Sequence, residues 1–462
     1  MNVARRPVRF LLARLAPRAC LALVLAVLPG FSSATAERVK PLGMSAEAID
    51  VHRPIFGRKQ DQTARERKLD SRLLLASRAL AQRRAFGGDA VSIPANVQRF
   101  IDGYVDLADE TLFVVITTNN VGGLAGALSS LGGRDIREFP LFGTVTAFLP
   151  LANVIEIAGR GDVLAIAPRE LMRTNKDSQE SQIRKGIAVT LASPQKAGTV
   201  TWEGVAAHKA NSAHSAGLTG GGAKVCVLSD GTDSVPARIS SGDLPVSVLA
   251  LSGQTGSGDE GTAMLEIVHD MAPGASLYFA TALPSVAQFA TNIISLYTVF
   301  GCHVIVDDIT YLNEGAFQDG PIAQAVNSVT ASGAIFLSSA GNSGNLSDGT
   351  SGTFEGDFVA SLVALPPAIA AVEGGSIYPM HMFGALPYTT LTAESEAITL
   401  KWSDPLGGAI NDYDLFVMDS TGTAILEASI SAQTGTQSPF EIAVCSGCAF
   451  PVGSRIYVVR YS

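Results

Sequence analysis

Aromatic side chains are scarce. Phe, Trp and Tyr make up 7% of the 462 residues, while glycine reaches 46. That balance disfavours a helical bundle and suits α/β sheets joined by many small-residue turns. Positive charge is also short: 33 Lys and Arg stand against 42 Asp and Glu, a formal net charge of −9, with a pI near 5.2. Nucleic acid is therefore not an expected partner. Past the N-terminus no segment is apolar for long enough to cross a bilayer. Hydrophobic residues still make up 47%, and the length suffices for two or three domains.

Cysteine is limited to five positions. Cys20 falls in the N-terminal leader. Cys226 and Cys302 sit in or beside apolar strands and read as core residues. Cys445 and Cys448 form "CSGC", a small disulfide or a pair of thiols; a metal site needs two further ligands that are not close in sequence.

What is present begins with a leader. "MNVARRPVRFLLARLAPR" is basic, "ACLALVLAVLPGF" is an apolar core too short to span a membrane, and "ATA" at Ala34–Ala36 has the small-x-small form of a cleavage site. Residues 1–36 therefore read as an export signal, and the protein as secreted or periplasmic. Residues 37–105 are polar and Arg-rich. Their charge reads as a solvated face, with packing against something acidic as the sharper alternative. Residues 106–170 read as β-α-β-β-α-β, a small ferredoxin-like α+β module. Residues 171–223 are mixed and polar, a linker.

From 224 to 352, near-continuous apolar strands alternate with helices: "KVCVLSDG", "VSVLAL", "SLYFATA", "HVIVDDITY" and "AIFLSSAGNSG". That pattern predicts a doubly wound parallel sheet covered on both faces, with chemistry at the carboxyl ends of its strands. Residues 353–462 turn to short alternating strands and predict a β-sandwich. The fold class expected is thus α/β, flanked by an α+β module and a sandwich.

The strand ends carry polar groups. The first gives Asp230, the fourth gives Asp307 and Asp308, and the fifth runs into a Gly-flanked Asn342. The helix "EGTAMLEIVHD" begins with Glu260, where a carboxylate is also favoured by the helix dipole alone. Asp307 and Asp308 read as loop structure or as part of a metal site or cleft.

"KVCVLSDG", "EGTAMLEIVHDMAPGA" and "AIFLSSAGNSG" together resemble the subtilisin-like and sedolisin-like superfamily of secreted serine peptidases. They occur in the family's order over roughly residues 200–345. The resemblance implies a subtilisin-like sheet, with the 106–170 module as a propeptide. It implies hydrolysis of peptide bonds, with a peptide or protein as substrate, the propeptide-like module as an internal partner, and no membrane partner once the signal is cleaved. Where ordinary subtilases place the base histidine of H-G-T, this chain has Glu260-Gly261-Thr262, the sedolisin choice of base. A carboxylate of ordinary pKa is a useful base only in acid, or where burial raises it. The sedolisin aspartate position is Met264. The subtilase aspartate position falls at Ser229 or Asp230, and Asp230 is the acid available. Asn342 matches the oxyanion asparagine, whose N–H is worth roughly 3 kcal/mol of barrier in such enzymes. His269 lies nine residues beyond Glu260 and faces the other side of the helix.

The family's G-T-S-x-A-x-P nucleophile motif is missing. Gly349-Thr350-Ser351 lacks the Ala, the Pro and the apolar helix that follow. The resemblance therefore implies a catalytic domain cut short before its serine, with no cofactor assured. Asp412 and Asp414, in a stretch resembling accessory jelly-roll modules, are candidate calcium ligands or plain turn residues. Two expectations follow: a serine-type endopeptidase family member inactive in these 462 residues, or a non-catalytic secreted pseudopeptidase that grips peptides.

Overall fold

The computed structural model describes residues 9–14, 43–87, 91–174, 200–375 and 377–462. Apart from residues 9–14, the expected leader lies outside the described residues. Helices and strands are mixed, with one parallel sheet among antiparallel ones. The chain forms two compact units. One takes the chain up to Arg169, Gly315–Gln318 and Ser343–Ser462; the other takes Glu170–Glu314 and Asp319–Asn342.

In the first unit, residues 106–170 follow the expected β-α-β-β-α-β order. Strands Thr111–Thr118, Arg134–Phe139, Thr144–Pro150 and Val163–Pro168 alternate with helices Val121–Ser130 and Val154–Ala158. The sheet is antiparallel throughout, with the first strand between the third and the fourth. Residues 353–462 form two antiparallel sheets. One contains strands Tyr413–Met418, Ile425–Ser429 and Arg455–Arg460. The other contains Thr353–Asp357, Ala397–Trp402 and Phe440–Val444, together with the backbone of Arg9–Arg14.

These two parts are not separate domains, as the sequence divided them. Strand Tyr413–Met418 is buried on both faces. Leu415 and Val417 enter the core between the two sheets, with Trp402, Phe450 and Val458. Phe416 and Met418 enter a second core shared with Leu73, Ile101, Val114 and Ile166 of the N-terminal region. A strand apolar at consecutive positions needs this double burial.

The Arg-rich segment 37–105 keeps charge in solvent, with Arg58, Arg65 and Arg84 exposed, but its apolar side packs into the core. Helix Ser71–Phe86 starts at Asp70, whose carboxylate accepts from Arg72 N at 2.9 Å, and buries Leu73, Leu74, Ala76 and Leu80. Arg78 pairs with Glu66 at 2.7 Å and Asn96 donates to Glu427 at 3.0 Å. Lys59 is 4% exposed, and its ammonium donates to Asp412 and Asp414, each at 2.6 Å, and to Ser431 O at 3.1 Å. Three donors meet three acceptors. Asp412 and Asp414, read as calcium ligands or turn residues, are instead buried ligands of this ammonium.

In the second unit, the parallel sheet runs in the order Ile335–Ser338, Val304–Asp307, Lys224–Ser229, Ser276–Thr281, Leu249–Ala250. The unit departs from the expected pattern in four respects. The stretch 303–311 is two strands, because Ile309–Tyr311 leaves the sheet to pair with Met172–Thr174. "VSVLAL" keeps only Leu249–Ala250 as strand. The supposed linker 171–223 contributes that Met172 strand and helices Gly204–Ala207 and Ala210–Ser215 to this unit; its residues 175–199 lie outside the described ones. Finally, coverage is uneven. Helix Glu260–Met271 packs on Lys224–Ser229 and Ser276–Thr281, so Leu277 and Phe279 are fully buried, whereas Ile335 and Leu337 at the sheet edge are 57% and 54% exposed.

Cys226 and Cys302, read as core thiols, form a disulfide, and Cys445–Cys448 form a second. The first closes a separation of 76 residues, which constrains the unfolded chain by about 4 kcal/mol.

Burial pushes Asp412 up to about 7 and raises Asp414, Glu373 and Glu441 as well, against the pull of Lys59. A raised carboxylate binds its proton more tightly in the fold than in the open chain, so the contribution of Asp412 to stability is full below about pH 4 and is lost as pH rises toward 7. The thermal midpoint of this unit is expected to fall between pH 5 and pH 8. Lys59→Met should cost about 3–5 kcal/mol at pH 8, and clearly less at pH 5, where Asp412 is protonated. Denaturant melts at both pH values check this.

Candidate active site

Asp230 and Glu260 lie thirty residues apart and meet at one end of the parallel sheet. Strand Lys224–Ser229 is apolar up to its last residue, and Asp230 stands just beyond its carboxyl end. Helix Glu260–Met271 begins beside it. The N-cap residue Asp259 makes no side-chain bond to the helix backbone. Asp230 does this instead: its Oδ1 accepts from Glu260 N at 3.0 Å, Gly261 N at 3.3 Å and Gly231 N at 2.6 Å. A carboxylate at a helix N-terminus, taking N–H groups that lack partners within the helix, is a stable arrangement.

The glycines around the Asp-Glu pair follow from this contact. Gly258 has φ +121°, and a Cβ there would lie 2.1 Å from Asp230 Oδ2; a Cβ on Gly261 would lie 2.4 Å from the Phe279 ring and 2.5 Å from Gly231 O. Neither position has room for a side chain. Asp259, between them, accepts from Ser234 N at 2.8 Å and from Thr262 Oγ1 at 2.9 Å. Asp233 accepts from Gly258 N at 2.9 Å. The turn that presents Glu260 is thus pinned from two sides.

Neighbouring strands end in polar pairs at the same edge. Asp307 is 3% exposed, and its Oδ1 accepts from Ile309 N and from Ser338 Oγ, both at 3.0 Å. Burial raises its pKa to about 6. Asp308 accepts from the Ser339 hydroxyl. Asp307 thus ends its strand and ties it to the next. Ser338, Ser339 and Thr281, whose hydroxyl donates to Asp230 O at 2.8 Å, were not singled out from sequence. The signal was there: "VLSD", "YFAT", "IVDD" and "FLSS" each end an apolar strand in small polar residues.

Asn342 follows the edge strand Ile335–Ser338 by four residues and is exposed. Its strand lies two positions from that of Asp230, about 10 Å at ordinary strand spacing. The structure brings Asp230 and the main chain of Glu260 into contact; Asn342 shares their edge of the sheet. Met264 packs against the cluster of Val227, Leu265 and Phe279. His269 lies in the last helical turn, and Asp270 beside it accepts from Trp202 N at 2.7 Å, linking the helix end to the preceding segment. Ser351 belongs to the other unit, on an exposed loop before strand Thr353–Asp357, where its hydroxyl accepts from Thr353 N. Among the described residues, no group of three or more His, Cys, Asp or Glu is arranged to hold a metal, and no helix is long and apolar enough to cross a membrane.

No protein-family model matches this sequence, and no curated protein does. Among solved structures, the chain is similar to the epidermin leader peptide processing serine protease (EpiP) of Staphylococcus aureus at 12% identity and a TM-score of 0.30, over 52% of this chain and 62% of that one. It is similar to the S393A mutant of the same protein at 13% identity and a TM-score of 0.29, over 52% and 63%. The chain thus spans less than two thirds of these neighbours, and a likeness at this level shows neither family nor activity.

Two outcomes test the geometry. Gly258→Ala should destabilise this unit by about 1–3 kcal/mol, read from denaturant melts, because the added methyl displaces Asp230. A buried acid with a raised pKa lowers stability as pH rises from about 4 to about 6. Asp307→Asn should therefore flatten the stability–pH slope over that window, relative to wild type.

Proposed function

We propose that this chain is an exported member of the subtilisin-like and sedolisin-like serine peptidases, with a glutamate at the position of the base. The observation that carries the reading is the meeting of Asp230, at the end of a parallel strand, with the N-terminus of the helix that begins at Glu260. The Asn342 loop at the same edge supports it. Two disulfides support an oxidising, extracytoplasmic location. The 106–170 module is proposed as the propeptide, residues 224–352 as a partial subtilisin-like catalytic domain and residues 1–36 as the cleaved signal.

The proposed chemistry is acyl transfer from a peptide bond to a serine. Glu260 accepts the serine proton as the hydroxyl oxygen bonds to the peptide carbonyl carbon. The Asn342 side-chain N–H donates to the oxyanion that forms. Glu260 then passes its proton to the amine nitrogen as the carbon–nitrogen bond breaks. Asp230 acts as a positioning residue: its bonds run to the helix main chain, and it fixes where Glu260 starts. Glu260 can take a proton efficiently only in acid or with its pKa raised.

The 462 residues hold no G-T-S-x-A-x-P motif, and without the nucleophile the covalent route is lost. The expected result is no cleavage of casein or labelled peptides by the purified chain from pH 3 to pH 8. Robust cleavage that survives Ser351→Ala and is abolished by Glu260→Ala would place a nucleophile within these residues and overturn that expectation. The second reading is a pseudopeptidase that binds extended peptides without turnover. It is favoured by the strand Ile335–Ser338, which among the described residues pairs on one side only, leaving an edge for β-pairing. Saturable peptide binding with no product would favour it.

A further inference from the structure

The acids around Lys59 are not all provided for. The ammonium donates to Asp412, Asp414 and Ser431 O, which engages all its N–H bonds. Glu441 accepts from the Ser429 hydroxyl and from Gln433 Nε2, the latter at 2.6 Å. Glu373 is 1% exposed, yet among the described residues no N–H or O–H donates to either of its oxygens, nor to Asp414 Oδ2. The two carboxyls lie within hydrogen-bonding reach of each other. A buried carboxylate without a donor is strongly unfavourable, whereas a protonated carboxyl supplies its own. Lys59 bonds Asp414 directly and favours its charge, so the shared proton sits on Glu373 and is donated to Asp414.

Glu373 is also the last residue of helix Pro367–Glu373, where a negative charge meets the negative end of the helix dipole. This helix buries Ala368, Ile369 and Val372 and packs on helix Ala46–Val51. Arg53 donates to its Ala371 O at 2.6 Å, and Gly374 N donates to Ala370 O at 3.0 Å. The charged and titratable groups that face Glu373 come from three directions. Lys59, Asp412 and Asp414 lie on the sandwich side, with the phenol of Tyr461 near them. Helix Ala46–Val51 carries Glu47 and Asp50, both exposed, and Asp50 is paired with Arg53. The exposed Arg58 passes beside Gly374.

We propose that the proton shared by Glu373 and Asp414 is the catch of a pH-operated latch, which seats helix Pro367–Glu373 against the sandwich while it is present and releases that helix when it is lost. Two carboxylates cannot both stay charged side by side in an apolar interior. Of the two, Asp414 is held within a central strand and by Lys59, so the short helix is the part that can move to water. Burial, together with the charge of Asp414, holds Glu373 well above the ordinary carboxyl range. The seated helix therefore binds the proton more tightly than the released one. The latch is fully shut below about pH 4, and its opening constant grows by up to about tenfold per pH unit as pH rises toward the raised value. It lies in the unit that lacks Asp230 and Glu260, so it stands or falls apart from the peptidase reading.

The test uses the full chain and hydrogen–deuterium exchange at pH 5 and pH 8, corrected for the pH dependence of free amides. In wild type, protection of the amides of 370–374 should fall by at least about tenfold between the two pH values, and by more than that of strand Tyr413–Met418. In Glu373→Gln, whose side-chain amide donates to Asp414 at either pH, that protection should change by less than about threefold. Unchanged protection of the wild-type helix, an equal loss in the strand, or an equal loss in Glu373→Gln overturns the proposal. If Glu373→Gln does not fold, Glu441→Gln decides. The wild-type fall should persist there, and its disappearance would assign the titration to Glu441 and overturn the latch.

Discussion

The ammonium of Lys59 is the tie on which the first unit depends. It is almost fully buried, and it meets two aspartates and a carbonyl from the opposite end of the chain. Removing a lysine from water costs several kcal/mol, and the cost is offset only where every donor is met and the geometry is close. Here both conditions hold, and the ring of Tyr461 lies 4.7 Å from the charge. The neighbourhood remains rich in acid: Glu373 and Glu441 join Asp412 and Asp414 around a single cation. Burial answers that excess by raising the carboxyl pKa values, so the cluster keeps protons it would release in water. Such an arrangement fixes one register between the helices and the sandwich, because a slip would strand a charge without a partner.

At the other unit, a carboxylate again does the organising, through the backbone rather than through another charge. Asp230 caps a helix thirty residues away, and the helix it caps begins with Glu260. Two glycines give the space for that approach. The edge hydroxyls of Ser338 and Ser339 hold the adjacent aspartates in the same economical way. Polar residues at the ends of apolar strands therefore link each strand to the next while leaving the sheet interior free of polar side chains.

Much of this was legible in the sequence. The β-α-β-β-α-β order of 106–170 and the strand–helix alternation of 224–338 came from period and punctuation, and both stand in the structure. What stayed hidden depends on long-range pairing. Nothing local to Lys59 distinguishes it from the arginines around it; its burial is set by Asp412 and Asp414, some 350 residues later. Cys226 and Cys302 look like ordinary core residues until the sheet brings their Cα atoms to 6.0 Å. The break after Asp307 was unreadable because "HVIVDDITY" keeps β propensity across it, and only the pairing of Ile309–Tyr311 with Met172–Thr174 reveals two strands. Sharing of one core by the module and the sandwich left a trace in the two-sided apolar strand "YDLFVM", but the trace does not name its partner.

That shared core has a consequence for how the polypeptide is made. Leu73, Ile101 and Val114 pack in one cluster with Phe416, Tyr457 and Val459, while the whole parallel-sheet unit is encoded between them. A ribosome releases the first group hundreds of residues before the last. During that interval the early helices carry apolar surface that has no cover, and synthesis proceeds at only about 5–20 residues per second. The middle unit can close on its own contacts first. The outer unit must wait for its second half, so the apolar faces of its early helices stay uncovered until residues 413–459 are made.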